Sequence, residues 1–234
     1  MMHTFSAHWE TIQKLHGQVE TATIVEEPML FSASPDFAES YGGPLTRSVL
    51  RALTRERDRM AAYIAEHPGT YGVIDTRSHM LMPGQYPAIP GWHCDAYPRG
   101  KGSAGQPDLK AGDPECFHYV VTVSDQPNGV SNTTFMQGVS TLDVDPERVW
   151  GSVHEEVVRR GLGLPAPGRD GGICLWATIP DGHLTRFKQE TLHRATKAHA
   201  KGWRWFFRLS MYHSKPMNQI RRQVQVYSTE GGGW

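Results

Sequence analysis

Two potential metal ligands stand two residues apart in the segment IPGWHCDAYPRG. His93 and Asp95 flank Cys94, and the surrounding prolines and glycines favour an extended chain. In an extended segment, side chains two apart point to the same face, so both could reach one ion. The chain holds 12 histidines and 24 acidic residues, and chance alone also produces such pairs. The pair therefore gains meaning only together with a third ligand.

Several downstream histidines could supply that third ligand. The segment KQETLHRATKAHAKGWRWFFRLS favours His193, which precedes a short turn and a strand that carries two arginines. His154 and Glu156 form a second pair of the same spacing, but they lie in a helical pattern, where residues two apart diverge. The other candidates are His118, His183, His199 and His213.

The strand after His193 carries an unusual pair of charges. Arg204 and Arg208 are four residues apart and share one strand face with Ser210. Guanidinium groups on such an apolar strand are costly to bury without an anion. A bound dicarboxylate could supply that anion through bidentate hydrogen bonds. A salt bridge to a carboxylate of the protein is the alternative.

The combined pattern resembles the Fe(II)/2-oxoglutarate-dependent dioxygenases, in particular the taurine-dioxygenase and phytanoyl-CoA-hydroxylase branches. The pattern is an HxD pair, a histidine 100 residues later and an arginine 11 residues after that. The resemblance spans roughly residues 70 to 212. It implies a double-stranded β-helix, or jelly roll, with His93, Asp95 and His193 as iron ligands. It also implies that Arg204 binds the far carboxylate of 2-oxoglutarate.

Further cosubstrate contacts follow from the same resemblance. The segment TVSDQPNGVSNTTF is similar to the one that turns through GGDT in taurine-dioxygenase-like enzymes, which places Thr133 at the cosubstrate, with Thr134 as the second choice. Here GVSN stands in place of GGD, and the gap from the HxD pair is longer. Arg208 with Ser210 resembles the arginine-x-serine variant of the cosubstrate site. His199 lies closer to the arginines than the family spacing, so we interpret it as a turn residue.

Composition limits the classes of protein to be considered. The chain has 234 residues and no net charge at neutral pH, which does not indicate a basic face for nucleic acid. No apolar run approaches the length of a membrane span, and no secretory signal is visible. The scattered Cys94, Cys116 and Cys174 form no CxxC pair and favour a reducing cytoplasm. We expect a single cytoplasmic domain over residues 1–234.

The expected fold is mainly β with flanking helices. GPLTRSVLRALTRERDRMAAYIAEHPG predicts a helical region over 44–67, and a cupin-like jelly-roll core should occupy 70–228. FHYVVTVSD and VSNTTFMQGVS predict a hairpin, and DPERVWGSVHEEVVRRGLG predicts a second helix. GGICLWATIP, GWRWFFRLSMYHS and RRQVQVYS predict further strands. The polar loop over 99–116 is either a lid or a surface insertion.

The expected activity is hydroxylation of a small molecule with Fe(II), 2-oxoglutarate and O2, releasing succinate and CO2. A nucleic-acid or protein substrate stays open, because RRQV and PRGK are basic. A cupin-like metal protein with non-oxidative chemistry, such as an isomerase or a hydrolase, is a second hypothesis. A non-catalytic jelly-roll binding module is the third.

Overall fold

The computed structural model describes residues 1–95, 97, 106–110, 116–162 and 176–228. Within these residues the protein is mainly β, and four of its five α-helices lie in the first 66 residues. The strands are β1 (Met2–Ser6), β2 (Trp9–Lys14), β3 (Met29–Phe31), β4 (Tyr71–Leu81), β5 (Phe117–Ser124), β6 (Thr133–Met136), β7 (Val139–Asp143), β8 (Trp176–Thr178), β9 (His183–Lys188), β10 (His193–Ala195), β11 (Gly202–Tyr212) and β12 (Gln219–Arg221). The helices are α1 (Thr21–Val25), α2 (Pro35–Tyr41), α3 (Pro44–Leu53), α4 (Arg57–Glu66) and α5 (Val149–Arg159).

The strands form one large antiparallel sheet and several small ones. The large sheet has the order β2-β9-β5-β11-β4, and a three-stranded sheet has the order β10-β6-β8. Two further pairs are β1 with β7 and β12 with β3. The described strands do not close into a barrel. The predicted mainly β fold is therefore confirmed in this coarser form.

The two faces of the large sheet have different neighbours. Alternate side chains of β5 and β11, such as Val121, Trp205 and Phe207, pack with residues of α1 to α3, such as Val49, in the main core. On the opposite face, Val120 of β5 packs with Phe135 of β6 and Phe187 of β9. The helices thus cover one face, and the small sheet approaches the other.

The predicted helical region over 44–67 is confirmed, but it is divided. A 3-10 turn, Thr54–Glu56, separates α3 from α4. The Thr54 hydroxyl donates a hydrogen bond of 2.7 Å to the carbonyl oxygen of Arg51, a local bond that competes with helix continuation. The second predicted helix corresponds to α5.

The predicted hairpin between FHYVVTVSD and VSNTTFMQGVS is wrong. Both edges of β5 are already occupied, by β11 on one side and β9 on the other. β6 instead pairs with β10 and β8 in the small sheet. The connection between β5 and β6 bonds to the segment after β10, where the Asn132 carbonyl accepts from the Thr196 amide at 2.8 Å.

Two other strand predictions hold only in part. RRQVQVYS forms a strand only at its first residue, Arg221 in β12, and a single bridge joins Tyr227 to Tyr86. Its alternation does not bury a face, since Val226 is 39% exposed. GGICLWATIP contains β8, and its residues 171–175 lie outside the described residues. The loop over 99–116 also lies mostly outside them. No described helix is long and apolar enough to span a membrane.

Candidate metal centre

A backbone bridge brings two of the predicted ligands together. His93 lies in the connection after β4, and its amide donates to the His193 carbonyl at 3.1 Å. The His193 amide donates in return to the His93 carbonyl at 2.9 Å. Residues that face each other across an antiparallel pair place their side chains side by side. The two imidazole ring centroids are accordingly 4.6 Å apart.

Asp95 completes a three-residue cluster. Its Oδ2 lies 3.4 Å from Nε2 of His193. One potential ligand atom from each of His93, Asp95 and His193 lies within 4.8 Å of the others. Among the residues that the structure describes, this is the one group of three or more such side chains that could hold a metal ion. The structure thus brings the three predicted ligands together.

Both histidines are oriented by backbone carbonyl groups. The Nδ1 of His93 lies 3.0 Å from the carbonyl oxygen of Gly91, and Nδ1 of His193 lies 2.9 Å from that of Thr191. A backbone φ of +119°, which favours glycine, is found at Gly91 just before the ligand segment. With Nδ1 donating to a carbonyl, the lone pair of each ring is on Nε2. This is the arrangement in which proteins present histidine to a metal.

The charges at the centre favour the metal-binding forms of the ligands. Burial opposes ionisation of Asp95, but the positive charge of Arg208, and next the neighbouring His193, hold its pKa well below the usual range. The Nη1 of Arg208 lies 2.5 Å from Oδ2 of Asp95. Burial, and secondarily the charge of His193, lowers the pKa of His93 to about 4. At neutral pH the cluster therefore contains a carboxylate and a neutral His93 imidazole.

Aromatic rings pack against the ligand side chains. The ring of His193 stacks on Phe135 with centroids 5.5 Å apart and contacts Phe187 at 4.9 Å. Both phenylalanines are almost fully buried. These rings belong to β6 and β9, so both sheets help to fix the position of His193. They also keep this side of the centre dry, which strengthens electrostatic interactions.

A cavity of about 630 Å³ opens beside the cluster. It is lined by the three potential ligands and also by Thr133, Arg204 and Arg208. Arg204 is 3% exposed, and its Nε donates to the Ser131 carbonyl at 2.6 Å. Burial lowers the pKa of Arg204 to about 10, so the side chain stays cationic at neutral pH.

The structure separates the alternative cosubstrate contacts. Thr133 lines the cavity, whereas the Thr134 hydroxyl lies 3.0 Å from that of Thr178 in β8. Ser210 is not among the cavity residues, because its hydroxyl pairs with Nδ1 of His118 at 2.8 Å. Arg208 lines the cavity but contacts Asp95.

The competing histidines have other partners. Nδ1 of His154 accepts a hydrogen bond of 3.3 Å from the Trp92 amide, and Glu156 pairs with Arg159 within α5. His199 is exposed, and its amide donates to the Val130 carbonyl at 3.2 Å. These residues do not join the three-residue cluster.

Geometry is the main guide to the function of this centre. No protein-family model matches the chain, and no curated protein matches it. The ligand cluster and the side chains around its cavity must therefore carry the functional assignment.

Sequence reasoning overlooked three basic residues of the cavity. Arg77 and His79 of β4 and Arg221 of β12 line the same cavity as the predicted site. A signal for the first two was present, because Asp75, Arg77 and His79 alternate within YGVIDTRSHML and so share one strand face. Arg221 gave no comparable signal, since it reaches the cavity from a separate two-stranded sheet.

Proposed function

We propose that the protein is an Fe(II)- and 2-oxoglutarate-dependent dioxygenase that hydroxylates a small molecule and releases succinate and CO2. One observation carries the proposal. The His93–Asp95–His193 cluster opens onto a cavity that also contains a buried arginine, Arg204, and a threonine, Thr133. The cluster supplies the ligands for iron, and the other two residues supply a cationic and a hydrogen-bonding contact for a dicarboxylate.

The donor set fits ferrous iron. Two imidazole nitrogens and one carboxylate form the ligand type of non-haem iron oxygenases, which leaves coordination positions open. The carbonyl contacts of both Nδ1 atoms leave the two Nε2 atoms available. Bound iron would supply oxygen activation coupled to oxidative decarboxylation of 2-oxoglutarate.

Arg204 and Thr133 are placed to bind the far carboxylate of the cosubstrate. Thr133 pairs across the small sheet with Ala195, two residues along β10 from His193. Two strand residues correspond to about 7 Å, a separation that a five-carbon dicarboxylate can span. Only Nε of Arg204 has a hydrogen bond to the described residues, so the two terminal nitrogens could bind a carboxylate in bidentate fashion.

Other residues position the ligands and the substrates. Arg208 holds Asp95 through one carboxylate oxygen. Phe135 and Phe187 fix the His193 ring and exclude water from it. Fixed ligands and bound cosubstrate reduce the entropy that the reaction must otherwise lose, which is a large part of catalysis.

The assignment of the fold as a jelly roll is part of the same proposal. Two antiparallel sheets lie on either side of the Phe135–Phe187 cluster, and the ligands come from the small sheet and the segment paired to it. A double-stranded β-helix contains two facing antiparallel sheets of this kind. We assign the jelly-roll core on this basis, and we expect the described strands to be its main part.

An anaerobic absorption titration tests the proposal. Fe(II) and then 2-oxoglutarate are added to metal-free protein, and a weak visible charge-transfer band should need both additions. His193→Ala should abolish iron binding. Arg204→Gln should retain iron but raise the Kd of 2-oxoglutarate by about tenfold or more, because a charge-assisted bidentate contact is lost.

A matched pair of threonines provides the control. Thr133→Val should weaken 2-oxoglutarate binding, whereas Thr134→Val should not, because Thr134 is directed to Thr178. Iron binding without the band would indicate a cupin-like metal protein with non-oxidative chemistry. Absence of iron binding would overturn the proposal altogether. If the band forms, succinate release with small molecules, peptides and oligonucleotides would then identify the kind of substrate.

A further inference from the structure

Apart from Arg208, which contacts Asp95, the cavity contains three basic side chains that iron and 2-oxoglutarate do not use. We propose that Arg77 and Arg221, together with His79, form a second anion site that binds a carboxylate or phosphate group of the primary substrate. The substrate would then be a small organic anion. This assignment rests on the oxygenase activity proposed above, because that activity is what makes the ligand a substrate.

Strand register places the site beside the cosubstrate residues. In the pairing of β4 with β11, Arg77 lies opposite Phe206, and His79 lies opposite Arg204. Residues that are directly opposite share one face of a sheet, and here that face lines the cavity. Arg221 reaches the same cavity from β12. The three side chains thus converge from two different sheets.

None of the three has an anionic partner among the described residues. The Arg77 side chain has no hydrogen bond or ion pair there and its Nε is buried, although Asp75 and Asp95 attract it at longer range. His79 is 2% exposed, and neither of its ring nitrogens has a hydrogen-bond partner. Arg221 stacks on the Phe31 ring at 4.3 Å but does not pair with a carboxylate. His79 is buried and the two arginines are partly buried, so leaving their polar groups without partners is unfavourable, and a bound anion would compensate them.

The nearby carboxylates are already engaged. Asp95 and Asp75 both contact Arg208, at 2.5 Å and 3.4 Å. Four arginines, Arg77, Arg204, Arg208 and Arg221, line the cavity, whereas Asp95 is the only carboxylate among its lining residues within the described chain. Iron and 2-oxoglutarate carry opposite charges of equal size. Binding both therefore leaves the surplus of positive charge in place.

The side-chain chemistry defines the expected ligand. Guanidinium groups bind carboxylate and phosphate oxygens through paired N–H donors. Burial, and next the charges of Arg204 and Arg77, lowers the pKa of His79 to about 3. A neutral His79 offers one N–H donor to an anion oxygen and one acceptor to a neighbouring hydroxyl. The shared requirement is an oxyanion on a molecule that fits the part of the cavity of about 630 Å³ that iron and 2-oxoglutarate leave open.

Calorimetric titration of metal-free protein with inorganic phosphate, at constant ionic strength, tests the site directly. Arg77→Gln and Arg221→Gln should each raise the Kd of phosphate by about tenfold or more, since each removes a charge-assisted contact. Arg204→Gln should leave this binding event in place. Arg57→Gln, which removes an exposed charge of α4, should have no effect and controls for non-specific attraction.

Folding of the variants is checked separately. Arg221 is partly exposed on a three-residue strand, so its substitution should not affect the core. Arg77→Lys keeps the charge and should retain more phosphate affinity than Arg77→Gln. Thermal unfolding of each variant confirms that the fold is intact.

The outcomes separate this site from the oxygenase proposal. Phosphate binding that depends on Arg77 and Arg221 supports the anion site even if no 2-oxoglutarate band forms, and then only the oxygenase activity is overturned. Absence of phosphate binding, or binding that is lost only in Arg204→Gln, overturns the anion site. A 2-oxoglutarate band in that situation would leave the oxygenase proposal standing.

Discussion

Arg208 is the residue whose role changes most when the structure is considered. Its guanidinium contacts Asp95 at 2.5 Å and Asp75 at 3.4 Å. A positive charge this close to a candidate ligand carboxylate stabilises the ionised carboxylate in the metal-free protein. The same charge repels an incoming metal cation. We therefore expect the metal affinity of the candidate centre and the stability of the metal-free protein to be coupled, in opposite senses, through one side chain.

Replacement of Arg208 tests this coupling. Arg208→Gln should tighten Fe(II) binding several-fold and should lower the free energy of unfolding of the metal-free protein. We expect a loss of about 1–2 kcal/mol, below the value for a fully buried pair because both side chains of the Asp95 pair are 22% exposed. Metal titration and urea unfolding measure the two quantities. Unchanged values for both would show that the ion pair has no energetic role.

The residues of the candidate centre were largely accessible from the sequence. Spacing and residue type, together with the family resemblance, selected His93, Asp95 and His193, which the structure brings within ligand distance. The partners of Ser210 and Arg208 were not accessible, because His118 and Asp95 are distant in the chain. Strand alternation defines which face a side chain occupies, but it does not define what lies opposite that face.

At the scale of elements, a buried carboxylate determines where α3 begins. The N-cap residue of α3 is Gly43, which has no side chain that could cap the helix. Glu27, which is 3% exposed, accepts hydrogen bonds from the amides of Gly43, Leu45 and Thr46 and from the Thr46 hydroxyl. A Cβ at Gly43 would lie 2.3 Å from Oε2 of Glu27, so glycine is needed there. The carboxylate also interacts favourably with the helix dipole.

Removal of this carboxylate should destabilise the protein strongly. Glu27→Ala leaves three buried amides and a hydroxyl without their acceptor, and we expect a loss of about 2–3 kcal/mol. Glu27→Gln keeps one acceptor oxygen and should lose less. Glu26→Ala, at the exposed neighbouring position, is the matched control and should change little. Similar urea midpoints for Glu26→Ala and Glu27→Ala would contradict this role.

The same scale shows why some elements could not be predicted. The strong periodic pattern of GPLTRSVLRAL and the apolar run FHYVVTVS identified α3 and β5, because both bury a recognisable face. The pairing of β6 could not be read, because it depends on which edges of β5 are already occupied. RRQVQVYS alternates without a buried face, so alternation alone overestimated the strand.

At the scale of the molecule, the division of the large sheet into two faces creates the site. Helices α1 to α3 bury one face in the main core, and this leaves the charged residues of β4 and β11 free to line the cavity. The small sheet then contributes His193 from the other side. The geometry of the candidate centre thus depends on the distance between the large sheet and the small sheet. Conditions that loosen their packing should also weaken metal binding.

Acid is one such condition, because three histidines of this region, two buried and one partly buried, are held neutral. Burial lowers the pKa of His118 and His79 to about 3 and that of His93 to about 4. These values lie below the unfolded value of about 6.5. Above a pH of about 6.5, neither the folded nor the unfolded state protonates these histidines, so they add no pH dependence to the free energy of unfolding. Below it the unfolded state takes up protons that the folded state does not, and stability falls as pH decreases.

The expected slope is up to about 1.4 kcal/mol per pH unit for each histidine. His118 is the best one to test, because it is fully buried against Phe187, bonds to Ser210 and is not one of the three candidate metal ligands. His118→Asn should reduce the slope of unfolding free energy between pH 6.5 and 5, whereas His199→Asn, at an exposed position, should not. Urea unfolding in the presence of a metal chelator measures both slopes. Equal slopes for His118→Asn and the unmodified protein would mean that His118 accepts a proton within the folded state, and the two sheets would then tolerate a charge between them.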